Sequence, residues 1–224
     1  MQDPDASPFN RLPPLVVALA VIIMGVEAMF FLGERGMIAT DTTRQFAIRD
    51  FGWNDAVFHW MVENGRAPLS ELRRLVTYPF LHSDAVHAAL VTVFVLALGK
   101  QVAEAFGQAV FAVIFMLSSV VGALVLAVLT NSNAWLIGGY PGAYGLIGAF
   151  TFLLCYGGAT GPWAGRQAFS LIAILAGIGL LFSLLNGEFG RLIAELGGFG
   201  SGFLACYVLR PGGWRDLLNR LRQR

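Results

Sequence analysis

Charge is what this chain has least of. Of its 224 residues only 13% are Asp, Glu, Lys or Arg, against about 25% in an ordinary soluble domain. That scarcity excludes a water-soluble globule. The charges present nearly cancel, with 15 basic and 14 acidic residues, so no basic surface points to nucleic acid as a partner. Cysteine is as rare. Cys155 and Cys206 both stand in apolar context and read as buried small hydrophobes, neither a disulfide framework nor a metal pair. The first apolar stretch is too long for a signal-peptide core and lacks an A-x-A site, so no cleavable signal is expected.

What is abundant is hydrophobicity, at 56% of residues and a mean hydropathy of +0.66. Several runs reach the roughly 20 residues needed to cross a bilayer. Six spans are expected, all helical because lipid leaves no other partner for backbone amides. They run from about Leu15 to Leu32, Asp84 to Gly99, Val110 to Leu129, Leu136 to Tyr156, Ala168 to Leu185 and Leu192 to Leu209. Three connections are short and turn-like: Asn131-Ser132-Asn133, Gly157 to Gly165, and Asn186-Gly187. The first loop, residues 33–78, is long and mixes Phe51, Trp53, Phe58, Trp60 and Met61 with charges. Such a mixture suggests short amphipathic elements at the bilayer surface. The expected organisation is a polar tail (1–14), one six-helix membrane domain (15–209) and a basic tail (210–224). Basic residues in the short loops and tails favour cytoplasmic N- and C-termini in an inner or plasma membrane.

Two segments carry a motif. Arg74-Leu75-Val76-Thr77-Tyr78-Pro79-Phe80-Leu81-His82, followed by His87, leads into the second span, and Gly99, Val102 and Gly107 follow it. Gly138-Gly139-Tyr140-Pro141-Gly142-Ala143-Tyr144-Gly145-Leu146 opens the fourth, and Ala194-Glu195-Leu196-Gly197-Gly198 with Gly202 lies in the sixth. Together these resemble the rhomboid family of intramembrane serine proteases, whose all-α six-helix fold and long first loop the resemblance implies here. The same resemblance implies a serine, a histidine and an asparagine at catalytic positions. An ungapped register puts Tyr140 at the serine, Glu195 at the histidine and Val91 at the asparagine, with His87 retained. A rival register puts Pro141 at the serine. Neither leaves a nucleophile.

Tyrosine, with a pKa near 10 and a rigid ring, does not replace an activated serine. Proline has no nucleophilic side chain and lacks an N–H. Valine cannot donate to an oxyanion, and one such donor is worth about 10²–10³ in rate. No catalytic residue, metal or cofactor is therefore expected. Among other serines, Ser118, Ser119, Ser170, Ser183 and Ser201 show no recognisable base beside them.

The remaining polar groups need another account. Under the resemblance His82, His87, Tyr140, Tyr144 and Glu195 converge from the second, fourth and sixth spans. They are expected to hydrogen-bond one another as an interhelix network; the alternative is a ligand, proton or zinc site. Gly138, Gly142, Gly145, Gly198 and Gly202 supply small-xxx-small helix packing. Glu27, in the first span without a charged neighbour in sequence, is a possible contact for a partner helix, as are Trp53 and Trp60 in the loop. The expected function is that of a rhomboid-like pseudoprotease, holding transmembrane segments or membrane-protein partners without cutting them. Two alternatives stand beside it: a constitutive subunit of a larger membrane complex, and an atypical active protease.

Overall fold

The computed structural model describes residues 12–38, 43–131, 133, 135–156, 164–186, 189–210 and 213. Its long helices are α1 (Pro14–Glu34), α6 (Ala85–Phe106), α7 (Gln108–Leu129), α8 (Tyr140–Tyr156), α9 (Ala164–Asn186) and α10 (Phe189–Leu209). Each overlaps one of the expected spans. Among the described residues, four of them (α1, α6, α7 and α10) are long and apolar enough to cross a membrane. The other two expected spans fall on α8 and α9. The tails expected at 1–14 and 210–224 lie almost wholly outside the described residues, as do residues 157–163 and 187–188 of the expected turns.

Local chemistry sets the helix ends. Pro14 occupies the first turn of α1, where its missing N–H costs nothing. Asp84 caps α6, its Oδ1 accepting from the Val86 and His87 amides at 2.9 Å each. The second span extends to Phe106, past the expected Gly99, because Lys100 and Glu104 lie one turn apart and carry the helix into a polar end. Gly107, with φ +95°, then makes a one-residue corner between α6 and α7. The Leu15 amide donates to Gln108 Oε1 at 2.9 Å, tying α1 to that corner.

The first loop is folded throughout its described part. It holds α2 (Thr43–Phe51), β1 (Trp53–Asn54), α3 (Asp55–Asn64), α4 (Leu69–Leu72), α5 (Arg74–Thr77) and a 3-10 turn at Tyr78–Phe80. An unexpected antiparallel pairing joins β1 to β2 (Trp135–Leu136), with Trp53 opposite Leu136 and Asn54 opposite Trp135. The fourth span accordingly does not begin as helix at Leu136. Leu136 is a strand residue, Gly138 has φ +92°, and the helix starts at Tyr140.

Two apolar clusters hold the bundle together. One joins α1, α6, α7 and α8 through Ile23, Val91, Val95, Phe111, Phe115 and Leu146. The other joins the first loop to α7 and α10 through Trp53, Met61, Tyr78, Leu126, Leu136 and Ala194. Helix α8 packs most closely on α10. A methyl group on Gly198 would meet the Pro141 carbonyl, and one on Gly202 the Gly145 carbonyl. Gly142 faces Phe115 and Ser119 of α7, and Gly145 faces Ser118 as well as Gly198. Gly142, Gly145, Gly198 and Gly202 thus stand at helix contacts. Gly138 does not; it shapes the turn before α8.

Candidate functional site

Three connections from the first loop fix the turn ahead of α8. The β1–β2 pairing is one. The Gly138 amide donates to the Tyr78 carbonyl at 3.0 Å, and the Gly139 amide donates to His82 Nε2 at 3.4 Å. Tyr78 is anchored below, its hydroxyl donating to the Ser119 carbonyl at 2.6 Å; burial pushes this phenol well above its ordinary range. The loop therefore places Tyr140 at the mouth of the bundle.

There the rings of three residues meet. Tyr140 stacks on His87 at 5.0 Å and 20°, and His82 meets His87 edge-on at 5.1 Å and 78°. The Ser83 amide donates to His87 Nδ1 at 3.2 Å. An amide can only donate, so Nδ1 carries the lone pair and the neutral ring keeps its proton on Nε2. The same reasoning at Gly139 leaves the His82 proton on Nδ1. His87 Nε2 and His82 Nδ1 are both buried with no hydrogen-bond partner among the described residues. Burial, with the neighbouring His87 second, pulls the His82 pKa down to about 4. No space remains above His87: a methyl on Gly138 would come within 2.7 Å of its ring.

One turn further along α8, Tyr144 donates its hydroxyl to the Glu195 carboxyl on α10. Val91 is fully buried and walls the turn, its Cγ1 standing 3.0 Å from where a Gly139 methyl would be. His82 lies just ahead of α6, His87 on α6, Tyr140 and Tyr144 on α8 and Glu195 on α10, and among the described residues they do not form one hydrogen-bonded network. His87 touches Tyr140 by ring contact and His82 touches only His87, and the hydrogen bond belongs to the separate Tyr144–Glu195 pair. Stacking turns the imidazole edges away from the tyrosine hydroxyl, which explains the difference.

This arrangement joins a histidine-bearing α6 to a glycine-rich turn opening α8, with α10 behind. A model of the Rhomboid domain matches residues 69–212, well over half the chain. The chain belongs to the rhomboid family. It is also similar to rhomboid-like protease 3 of Toxoplasma gondii, 32% identical over 139 residues. That match covers 61% of this chain and 52% of the relative, so the chain spans about half the length of that curated protein. This rhomboid is accordingly an integral, multi-pass membrane protein in contact with the lipid bilayer.

The structure corrects two of the expected partner contacts. Glu27 is not waiting for an outside helix. Its carboxylate accepts from Arg44 Nη1 at 2.9 Å and Nη2 at 2.8 Å, with 3% of the residue exposed. Arg44 also donates to Glu34 at 2.6 Å and to the His82 carbonyl at 2.6 Å. Trp53 is fully buried in β1, whereas Trp60 is half exposed. Of the cysteines, Cys206 is buried and Cys155 only partly so, both free.

Sequence reading passed over Arg44 and Ser83. Arg44 lies 17 residues from Glu27 with no local signal to join them. Ser83-Asp84 before an apolar run is a recognisable helix start, but it carries no hint that Ser83 Oγ would lie 2.9 Å from His87 Nδ1. The other described serine hydroxyls near the bundle centre bond elsewhere: Ser119 to the Phe115 carbonyl, and Ser201 to the Gly198 carbonyl and Ser118.

Proposed function

We propose that this rhomboid binds transmembrane segments or membrane-protein partners and does not cleave them. The observation that carries the reading is Tyr140 at the head of α8, its ring against His87 where the family resemblance calls for a serine. Glu195 in place of the catalytic histidine and Val91 in place of the asparagine support it further. On this reading Tyr140, Tyr144, His82, His87 and Glu195 hold the helices together, no metal or cofactor takes part, and Trp60 is the loop residue offered to a partner. The domain limits go with it: a membrane domain at 15–209 between short tails, both facing the cytoplasm.

The test is a cleavage assay on purified protein, using a helix-destabilised transmembrane substrate and an active rhomboid as positive control. No cleavage and no labelling by a fluorophosphonate probe are expected. Turnover above background would overturn the reading. Mild-detergent purification followed by native mass then separates transient clients from a fixed-ratio partner, which would make the chain a constitutive subunit.

One observation favours an atypical protease instead. Ser83 Oγ is within hydrogen-bond reach of an unprotonated imidazole nitrogen, the arrangement a general base needs. The name of the Toxoplasma relative points the same way. Against it, Ser83 Oγ also bonds Asp84, and the group fits a helix-capping role. Fluorophosphonate labelling abolished by Ser83→Ala would establish the protease alternative.

A further inference from the structure

A second feature lies away from the histidines and is independent of whether the chain cleaves anything. Helix α3, the segment after it and α7 enclose a cleft of about 270 Å³. Phe58, Met61, Leu75 and Leu124 give it apolar walls. Leu124 is five residues from the end of α7, about 8 Å below it at 1.5 Å per residue. That depth is the boundary between headgroups and acyl chains when the helix end marks the surface. Val62 in its wall is 65% exposed, as suits a face turned to lipid.

Two polar groups stand in this apolar setting. Arg66 lines the cleft, is exposed and forms no ion pair among the described residues. Trp53, also in the wall, is fully buried with an indole N–H that lacks a partner among those residues. A cation beside an apolar slot complements an oxyanion attached to a hydrocarbon chain; the Trp53 N–H, closed off inside the wall, takes no part in this.

We propose that this cleft binds an anionic phospholipid, with one acyl chain between α3 and α7 and the phosphate on the Arg66 guanidinium. Bound there, the lipid fastens the first loop to α7 and so steadies the strand pairing that positions Tyr140.

The test uses the full chain, delipidated in nonionic detergent and titrated with phosphatidylglycerol or phosphatidylcholine. Native mass spectrometry and thermal unfolding are the readouts. One phosphatidylglycerol per chain is expected, with a raised Tm and weaker binding of phosphatidylcholine. Arg66→Gln should weaken phosphatidylglycerol binding about tenfold, the scale of one charge-assisted hydrogen bond. Leu124→Trp should abolish it by filling the slot. Arg49→Gln, an exposed arginine on α2 outside the cleft, should leave it unchanged. If Leu124→Trp does not fold, judged by circular dichroism, Ala67→Leu at the cleft wall replaces it. Equal binding of both lipids, equal loss in Arg49→Gln, or unchanged binding in Arg66→Gln each overturns the proposal.

Discussion

At the scale of single residues, Arg44 joins more of the molecule than any motif residue does. It links α1, through Glu27 and Glu34, to the backbone at His82. The Glu27 pair is buried and the Glu34 pair is not, since Glu34 is 43% exposed. Breaking a buried pair from one side costs about 3–5 kcal/mol, whereas an exposed pair is worth about 0–1 kcal/mol. Arg44→Ala should therefore lower stability in detergent far more than Glu34→Ala. Replacing both partners, as Glu27→Leu with Arg44→Met, should recover much of the loss, because no buried charge is then left alone. Glu195→Leu should also lower thermal stability, by about 1–3 kcal/mol, because the Tyr144 hydroxyl loses its acceptor. Unchanged stability would mean that Glu195 faces a cavity or a partner. His82 predicts a pH effect. Its folded pKa of about 4 lies below the ordinary 6.5, so between those values the unfolded chain binds the extra proton. Stability should fall as pH drops from about 6.5 to about 4, and His82→Gln, which can still accept from Gly139, should flatten that slope.

At the scale of elements, the α8–α10 contact rests on backbone meeting backbone. Because Gly198 and Gly202 lie on the carbonyls of Pro141 and Gly145, Gly198→Leu should either prevent folding or cost upwards of about 3 kcal/mol. Gly200→Ala, on the same helix with nothing within 4 Å of an added methyl, should be nearly silent. Thermal unfolding of the two variants side by side checks this. Much of the element pattern was legible in the sequence, since apolar length marks spanning helices directly. The β1–β2 pairing was not. Two-residue strands have no periodicity, and Trp53 and Leu136 stand 83 positions apart. Gly138 was misread for a related reason. Its spacing from Gly142 looks like helix packing, and only its φ of +92° shows a turn.

At the scale of the whole molecule, the expected outcome is a chain that stays with the membrane fraction through alkaline extraction. The proposed orientation further predicts that tags at both ends react from the cytoplasmic face; opposite accessibility of the two ends would overturn it. What the sequence by itself determined was class and family: low charge and long apolar runs demand spanning helices, and the motif residues place the chain among rhomboids. It also determined which residue types are present at Tyr140, Glu195 and Val91, because side-chain chemistry is legible without coordinates. Only the tertiary structure decided how those residues meet. Stacking instead of hydrogen bonding at His87, the pairing of Glu27 with Arg44, and the closeness of Ser83 to an imidazole all depend on distances between distant segments. Those distances follow from packing many side chains at once, which no local pattern records.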